Sequence, residues 1–167
     1  MSSLRLLSVW RAGALLPALP LLLSLAASGA GAQQVMITNT RSLDFGRVVA
    51  GSGGAVVISP TGVRSRTGAV VLLNSPAASQ ANFSVARSSN GGGNKAVIIS
   101  LPGNGEIRLS NGSSSMAVNG FVSSPSRTMF SVPAGGAPLA VGATLTVAPN
   151  QAPGAYSGSF PVIVNFQ

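Results

Sequence analysis

The chain has 167 residues, with ten Lys and Arg, two Asp and Glu, and no Cys or His, and its formal net charge is +8 at pH 7. Without Cys or His, the sequence excludes a disulfide, a zinc finger, a thiol nucleophile, a Ser-His triad and a haem with a histidine ligand. Because its carboxylate side chains are Asp44 and Glu106 alone, it also excludes a cage of several carboxylates around a hard metal ion. We therefore expect no enzyme activity and no cofactor.

Residues 1–32 have the pattern of a secretory signal peptide. Two arginines make the start of the segment positive, and a Leu-rich apolar run follows over 12–27. Small residues come next, with Ala30 and Ala32 in the positions that precede a signal cleavage site. A membrane anchor fits less well, because the run contains prolines and a transmembrane helix needs about 20 apolar residues. We expect cleavage after Ala32 and a mature single domain over 33–167, which touches the membrane only during export.

The absence of Cys also bears on the compartment. Export normally permits disulfides, and this chain can form none. An exported domain of this kind is more typical of a bacterial envelope than of an animal extracellular protein. We expect the protein in the periplasm, at the cell surface or outside a bacterial cell.

Beyond the signal segment, runs rich in Val, Ile, Leu, Phe and Thr alternate with Gly, Pro, Asn and Ser. No window of a dozen residues keeps a 3.6-residue apolar period without a Gly or a Pro, which predicts short strands and tight turns. This pattern predicts an all-β fold, an antiparallel immunoglobulin-like β-sandwich without the Cys…Trp…Cys spacing of antibody domains. The predicted strands are 34–39, 55–59, 68–73, 82–87, 95–101, 105–110, 115–122, 127–132, 139–147 and 155–166.

The turn chemistry is clearest at Asn111-Gly112, which lies between 106–109 and 115–118. Asn-Gly readily takes positive φ at both central positions of a type I′ turn, so the sequence predicts a hairpin here. The glycine-rich stretch 51–54 predicts a turn that leads into a strand. It is not a phosphate-binding loop, because no Lys-Ser or Lys-Thr follows it.

The C-terminal stretch has the most regular pattern. A strand over 155–166 would have one apolar and one more polar face. Pro161 lacks an N–H and therefore predicts an edge or a bulge. The run 139–147 alternates in the same way, which predicts that the two segments form a hairpin closed across 148–154. The residues that would share the apolar face are Tyr156, Gly158, Phe160, Val162, Val164 and Phe166.

The charged residues are spread along the chain. Asp44 and Glu106 could be proposed as a general acid and base, but nothing in the sequence places them together, and we expect surface charges. Arg64 and Arg66 would project from one side of a strand, where charge discourages pairing between sheet edges. The excess of basic residues would attract anionic surface glycans by long-range steering. We expect no nucleic acid partner, because no set of stacking aromatic residues accompanies the basic ones.

Three blocks of sequence resemble a bacterial family of exported proteins. They are Leu43-Asp44-Phe45-Gly46, the run Val-Gly-Ala-Thr-Leu-Thr-Val at 141–147, and Asn-Gln-Ala-Pro-Gly-Ala-Tyr-Ser-Gly at 150–158. In this order they resemble the family catalogued as domain of unknown function 4402, over essentially the whole mature chain. The resemblance implies an exported β-sandwich similar to fimbrial subunits and to spore-coat-U-like proteins, and it implies no catalytic residue.

The C-terminal stretch also resembles that of subunits of chaperone–usher fimbriae. Those subunits typically have a penultimate aromatic residue and a Gly fourteen positions from the end, here Phe166 and Gly154. In them this strand pairs with an assembly chaperone by β-strand addition. The resemblance implies a periplasmic chaperone or like subunits as partners, although the usual subunit cysteines are absent. The implied assembly strand is Gly154, Tyr156, Gly158, Phe160, Val162, Val164 and Phe166.

Two functions follow from these patterns. The first is a non-enzymatic structural protein of the envelope or surface, related to fimbrial or coat subunits and assembled by β-strand addition. The second is a self-contained periplasmic or surface module that binds an anionic glycan or a protein ligand. Under the second, 155–166 would be an ordinary strand that completes the chain's own sandwich.

Overall fold

The computed structural model describes residues 35–87, 95–126, 130–133 and 135–166. All elements in these ranges are strands, paired antiparallel, which confirms the predicted all-β fold. Within the same ranges, no helix has the length and apolar character needed to cross a membrane. The strands are β1 (Val35–Arg41), β2 (Val48–Val49), β3 (Gly54–Ile58), β4 (Arg64–Gly68), β5 (Val71–Leu72), β6 (Ala81–Arg87), β7 (Lys95–Ser100), β8 (Ile107–Ser110), β9 (Ser115–Ser124), β10 (Phe130–Val132), β11 (Ala137–Val147) and β12 (Ile163–Phe166).

The long strand β11 organises the larger sheet. Along one edge it pairs with β6 over 137–141 and then with β3 over 143–147. Its other edge pairs with β9 over 140–145. Gly142 lies where the partner along the first edge changes from β6 to β3. A Cβ at Gly142 would collide with the carbonyl oxygen of Ile58, so the lack of a side chain permits this change of partner. Strands β1, β4 and β8 then flank β6, β3 and β9.

Two smaller sheets face the larger one, in the orders β10-β7-β12 and β2-β5. The inward side chains of all three sheets contribute to one apolar core. The alternation predicted for 139–147 is confirmed, because Leu139, Val141, Ala143, Leu145 and Val147 are all buried. Burial of a Val or Leu side chain stabilises the fold by about 1.5–3 kcal/mol. The result is the predicted antiparallel sandwich.

The predicted hairpin at Asn111 is confirmed, but its turn type is wrong. Strands β8 and β9 pair from Ser110 and Ser115 inward, which leaves a four-residue loop between them. Gly112 has a positive φ of 93°, whereas Asn111 is not among the residues with positive φ. The Asn111 side-chain oxygen instead accepts hydrogen bonds from the backbone N–H groups of the next turn residues, so side-chain capping replaces the type I′ geometry.

Two predictions about strand pairing are wrong. The run 139–147 does not form a hairpin with the C-terminal strand, because β11 pairs with β3, β6 and β9, and β12 pairs with β7. The predicted strand 155–166 is a strand only over its last four residues. An alternating pattern identifies which face of a segment is buried, but it does not identify the partner, which is set by packing far along the chain.

The predicted strand 68–73 is also wrong, because the chain changes sheet within it. Strand β4 ends at Gly68, whose φ of 70° favours glycine and turns the backbone out of the sheet. Val70 is fully buried in the core, and β5 then pairs with β2. Of the predicted strand 127–132, the structure has β10, and 127–129 lie outside the described residues.

Candidate assembly site

The segment 151–162 connects β11 to β12 without forming a regular strand. The N–H of Ser157 donates to the carbonyl of Ser110 at 3.0 Å, and the N–H of Ser110 donates back at 2.8 Å. Among the described residues, Ser157 is the one member of the segment whose backbone is bonded to another strand. A Cβ at Gly158 would lie 2.6 Å from the carbonyl oxygen of Arg108, so glycine permits the close approach to β8.

The residues predicted to share one face of this segment lie on the core side. Tyr156, Phe160, Val162 and Val164 are half-buried and pack against the core, and the residues between them are exposed. Gly154 and Gly158 are exposed, and the side chain of Phe166 lies outside the described ones. Pro161 precedes β12, so its missing N–H removes no ladder bond. None of the four apolar side chains is fully buried, so the segment covers the core incompletely.

Tyr156 and Phe160 hold the segment in place. The Tyr156 hydroxyl donates to the carbonyl of Ala152 at 2.7 Å and accepts a hydrogen bond from Nε2 of Gln151 at 2.8 Å. The Phe160 ring contacts Phe83 edge-on at 6.4 Å between ring centroids, and Phe121 at 5.0 Å. Each aromatic pair contributes about 0.5–1.5 kcal/mol beyond its buried area. The segment is thus attached by side chains more than by its backbone.

The block Leu43-Asp44-Phe45-Gly46 forms a turn opposite the C-terminal segment. Asp44 exchanges two backbone hydrogen bonds with Ser79, and its Oδ1 accepts the N–H of Gly46 at 2.6 Å. Phe45 enters the core and is 6% exposed. Gly46 has a φ of 72°, and a Cβ there would lie 2.7 Å from that of Ser75. Asp44, Phe45 and Gly46 therefore each have a structural role, which the sequence pattern alone did not reveal.

Arg64 supports this turn from the edge strand β4. Its Nη1 donates to the carbonyl of Leu73 at 2.9 Å, and its Nη2 donates to the carbonyl of Arg47 at 2.8 Å. Burial lowers the pKa of Arg64 from its ordinary value, and the nearby Asp44 carboxylate acts in the opposite direction. The guanidinium therefore ties the ends of the β2-β5 pair to the larger sheet.

Arg64 and Arg66 lie opposite the buried residues Ile58 and Val56 in the β3–β4 ladder. Directly opposed residues of an antiparallel pair have their side chains on the same face. Both arginines thus leave β4 on its core-facing side, at the edge of the sheet. The two side chains therefore project from one side of the strand, as their spacing predicted.

A cleft of about 1140 Å³ lies between the C-terminal segment and the 43–50 segment. Its walls include the turn that begins at Leu43 on one side and Tyr156 and Phe160 on the other. Its walls at 45–47 and 151–156 are irregular rather than paired strands. The cleft is therefore an apolar groove. The backbone of its C-terminal wall forms few hydrogen bonds with other described residues, whereas the N–H groups of Gly46 and Arg47 and the carbonyl of Arg47 are all bonded. Its floor is the inner face of the larger sheet, from Ile107, Leu109, Met116, Val118, Leu145 and Val147.

The structure does not bring the two carboxylates into one site. Asp44 belongs to the turn just described, whereas Oε2 of Glu106 accepts the N–H of Gly103 at 2.8 Å in another turn. Among the residues that the structure describes, no three His, Cys, Asp or Glu side chains are grouped as a metal ion would require. Asp44 and Glu106 therefore serve local backbone structure.

Sequence reasoning missed Phe83 and Phe121, which hold the ring of Phe160. Each lies on a different strand, and no local pattern relates them to Phe160. The predicted signal peptide, with Ala30 and Ala32, lies outside the described residues.

Searches of curated proteins and of solved structures each gave no match. A search against family models gave a match over residues 35–166, which includes all the elements described above. The chain therefore belongs to the family described as Domain of unknown function (DUF4402).

Proposed function

We propose that this protein is a non-enzymatic structural protein, exported to the envelope or surface of a bacterium, that assembles by β-strand addition. The observation that carries the proposal is the segment 151–162 beside the apolar cleft. Its backbone is bonded to another described strand only at Ser157, so most of its N–H and C=O groups are open to a partner strand. The signal-peptide pattern of residues 1–32 supports export.

Strand addition would use both the unpaired backbone of the segment and the apolar cleft beside it. An incoming strand forms backbone hydrogen bonds with the segment, and each contributes about 0.5–1.5 kcal/mol net. Its alternate side chains enter the cleft, where each large apolar side chain contributes about 1.5–3 kcal/mol by burial. Backbone bonds would provide affinity and the apolar lining would select the side chains.

The partner is a like subunit or a periplasmic chaperone. The resemblance to subunits of chaperone–usher fimbriae supports this choice, since it rests on the same segment between Gly154 and Phe166. The scarcity of carboxylates and the lack of His and Cys support a structural role over a catalytic one.

The self-association of the purified protein, expressed from the full-length sequence, tests the proposal. Leu43→Glu places a charge on the wall of the cleft, and Met36→Glu makes the same change on β1, at a side chain that is 66% exposed and outside the cleft. We expect concentration-dependent oligomers by analytical ultracentrifugation, lost in Leu43→Glu and retained in Met36→Glu. A monomer at all concentrations that also fails to bind a periplasmic chaperone would contradict the proposal.

A second candidate is a self-contained module for an anionic surface glycan. It is favoured by the way in which the carboxylates are used, because Asp44 and Glu106 both accept hydrogen bonds from their own turns. Arg41 and Arg47 are exposed, and Arg47 borders the cleft. Retention on immobilised lipopolysaccharide should fall with added salt and in Arg47→Gln. No retention at low ionic strength would eliminate this candidate.

A further inference from the structure

The described part of the chain contains three Asn-Gly pairs, which begin at residues 104, 111 and 119. In such a pair the backbone nitrogen of the glycine can attack the side-chain carbonyl carbon of the asparagine, because glycine leaves that nitrogen unhindered. The outcome depends on how the structure holds the attacking N–H and the amide under attack. The three pairs differ in both respects.

Two of the pairs restrain each other. The N–H of Gly105 donates to Oδ1 of Asn119 at 2.8 Å, and the N–H of Gly120 donates to Oδ1 of Asn104 at 2.8 Å. Nδ2 of Asn119 also donates to Oγ1 of Thr146 at 3.1 Å. Each attacking nitrogen is therefore bound to the amide oxygen of the other pair. Attack within either pair must first break the hydrogen bond of its own attacking N–H.

The third pair is held in a way that favours attack. Oδ1 of Asn111 accepts hydrogen bonds from the N–H of Ser114 at 2.7 Å and from the N–H and Oγ of Ser113 at 3.1 and 3.3 Å. Donors placed on a carbonyl oxygen stabilise the negative charge that develops there when its carbon is attacked. The N–H of Gly112 is bonded only to the rotatable hydroxyl of Ser110, at 3.0 Å, and the space beside its Cα is open.

We propose that Asn111 is a self-modification site, which forms a succinimide with Gly112 and then aspartate or isoaspartate. The Gly112 nitrogen loses its proton and forms a bond to Cγ of Asn111. The Cγ–Nδ2 bond breaks, and the amide leaves as ammonia with the released proton. Water then opens the ring at either of its two carbonyl carbons. The reaction requires only solvent.

The position of Asn111 connects this reaction to the C-terminal segment. Its neighbour Ser110 forms the backbone pair with Ser157, and a Cβ at Gly154 would lie 2.8 Å from Nδ2 of Asn111. Isoaspartate adds a methylene to the backbone beside that pair, and both products add a negative charge. Modification therefore loosens the attachment of the segment to β8. The effect on assembly rests on the proposed function, whereas the reaction does not.

Peptide mass spectrometry of the folded protein in mildly alkaline buffer tests the reaction. Because the attacking N–H must first leave the amide oxygen of the other pair, conversion at Asn104 and Asn119 should be about fivefold slower than at Asn111. In denaturant the three rates should converge, because the hydrogen bonds are lost. Conversion of Asn104 or Asn119 as fast as that of Asn111 in the folded protein would overturn the proposal, as would an Asn111 that does not convert.

Two variants separate the chemical reaction from its effect on assembly. Asn119→Ser frees the N–H of Gly105, so conversion at Asn104 should increase, by about fivefold. Asn111→Gln retains an amide but forms the ring far more slowly, and its self-association should stay constant during incubation while that of the wild type declines. Conversion without any change in association refutes the link to the segment. A lack of association in fresh protein refutes the proposed function and leaves the chemistry standing.

Discussion

Replacement of Phe160 by Ala tests whether side chains attach the C-terminal segment. Truncation of a fully buried Phe typically costs about 3–5 kcal/mol, and Phe160 is half-buried, so about half of that cost applies. The contacts with Phe83 and Phe121 add about 0.5–1.5 kcal/mol each. We therefore expect Phe160→Ala to lower the free energy of unfolding by about 3 kcal/mol.

The assay is equilibrium denaturation in urea, followed by far-ultraviolet circular dichroism. Ile163→Ala is the matched control, because it removes a large apolar side chain nearby that is 51% exposed. It should cost about 0.5 kcal/mol or less, as surface substitutions usually do. Equal losses in the two variants would refute the reasoning, since the segment would then be held by its backbone rather than by the Phe160 ring.

Three further substitutions test the surrounding structure. Tyr156→Phe removes the hydroxyl bonded to Ala152, and we expect a loss of about 1–2 kcal/mol in the same urea assay; no loss would show that the hydroxyl does not anchor the segment. Gly142→Ala forces a Cβ into the backbone of the neighbouring strand, so we expect a loss above about 3 kcal/mol or failure to fold, judged by soluble yield and circular dichroism. Arg64→Gln loses two hydrogen bonds to backbone carbonyls and should cost about 2 kcal/mol, whereas Arg66→Gln, the matched control on the same strand, should cost less than about 1 kcal/mol. Thermal unfolding compares the two, and equal melting temperatures would argue against the role assigned to Arg64.

Part of the candidate site could be predicted from local pattern. The alternation after Gly154 identified which side chains of the C-terminal segment face the core, because successive side chains of an extended chain point to opposite sides. It overstated the length of the strand, since 155–162 is not a regular strand and its backbone is bonded to another described strand only at Ser157. The same pattern is compatible with a paired strand and with an unpaired segment, so only the structure could show which backbone groups form hydrogen bonds.

The block that begins at Leu43 shows a different limit. Its residues carried a family resemblance, but their roles depend on partners elsewhere in the chain. Asp44 pairs with Ser79, and Gly46 must be small because Ser75 lies against it. No local pattern contains these contacts, since each joins residues about thirty positions apart.

By itself, the sequence determined the all-β class, the antiparallel sandwich and the hairpin at Asn111. These depend on local backbone preferences, on the period of apolar residues and on the missing residue types, all of which can be read within a few positions. Only the tertiary structure decided that β11 pairs with three strands, that β12 pairs with β7, and that an apolar cleft lies beside the C-terminal segment. Those features arise from packing between segments that are distant in sequence. The ring of Phe160, for example, contacts Phe83 and Phe121, which lie on two separate strands.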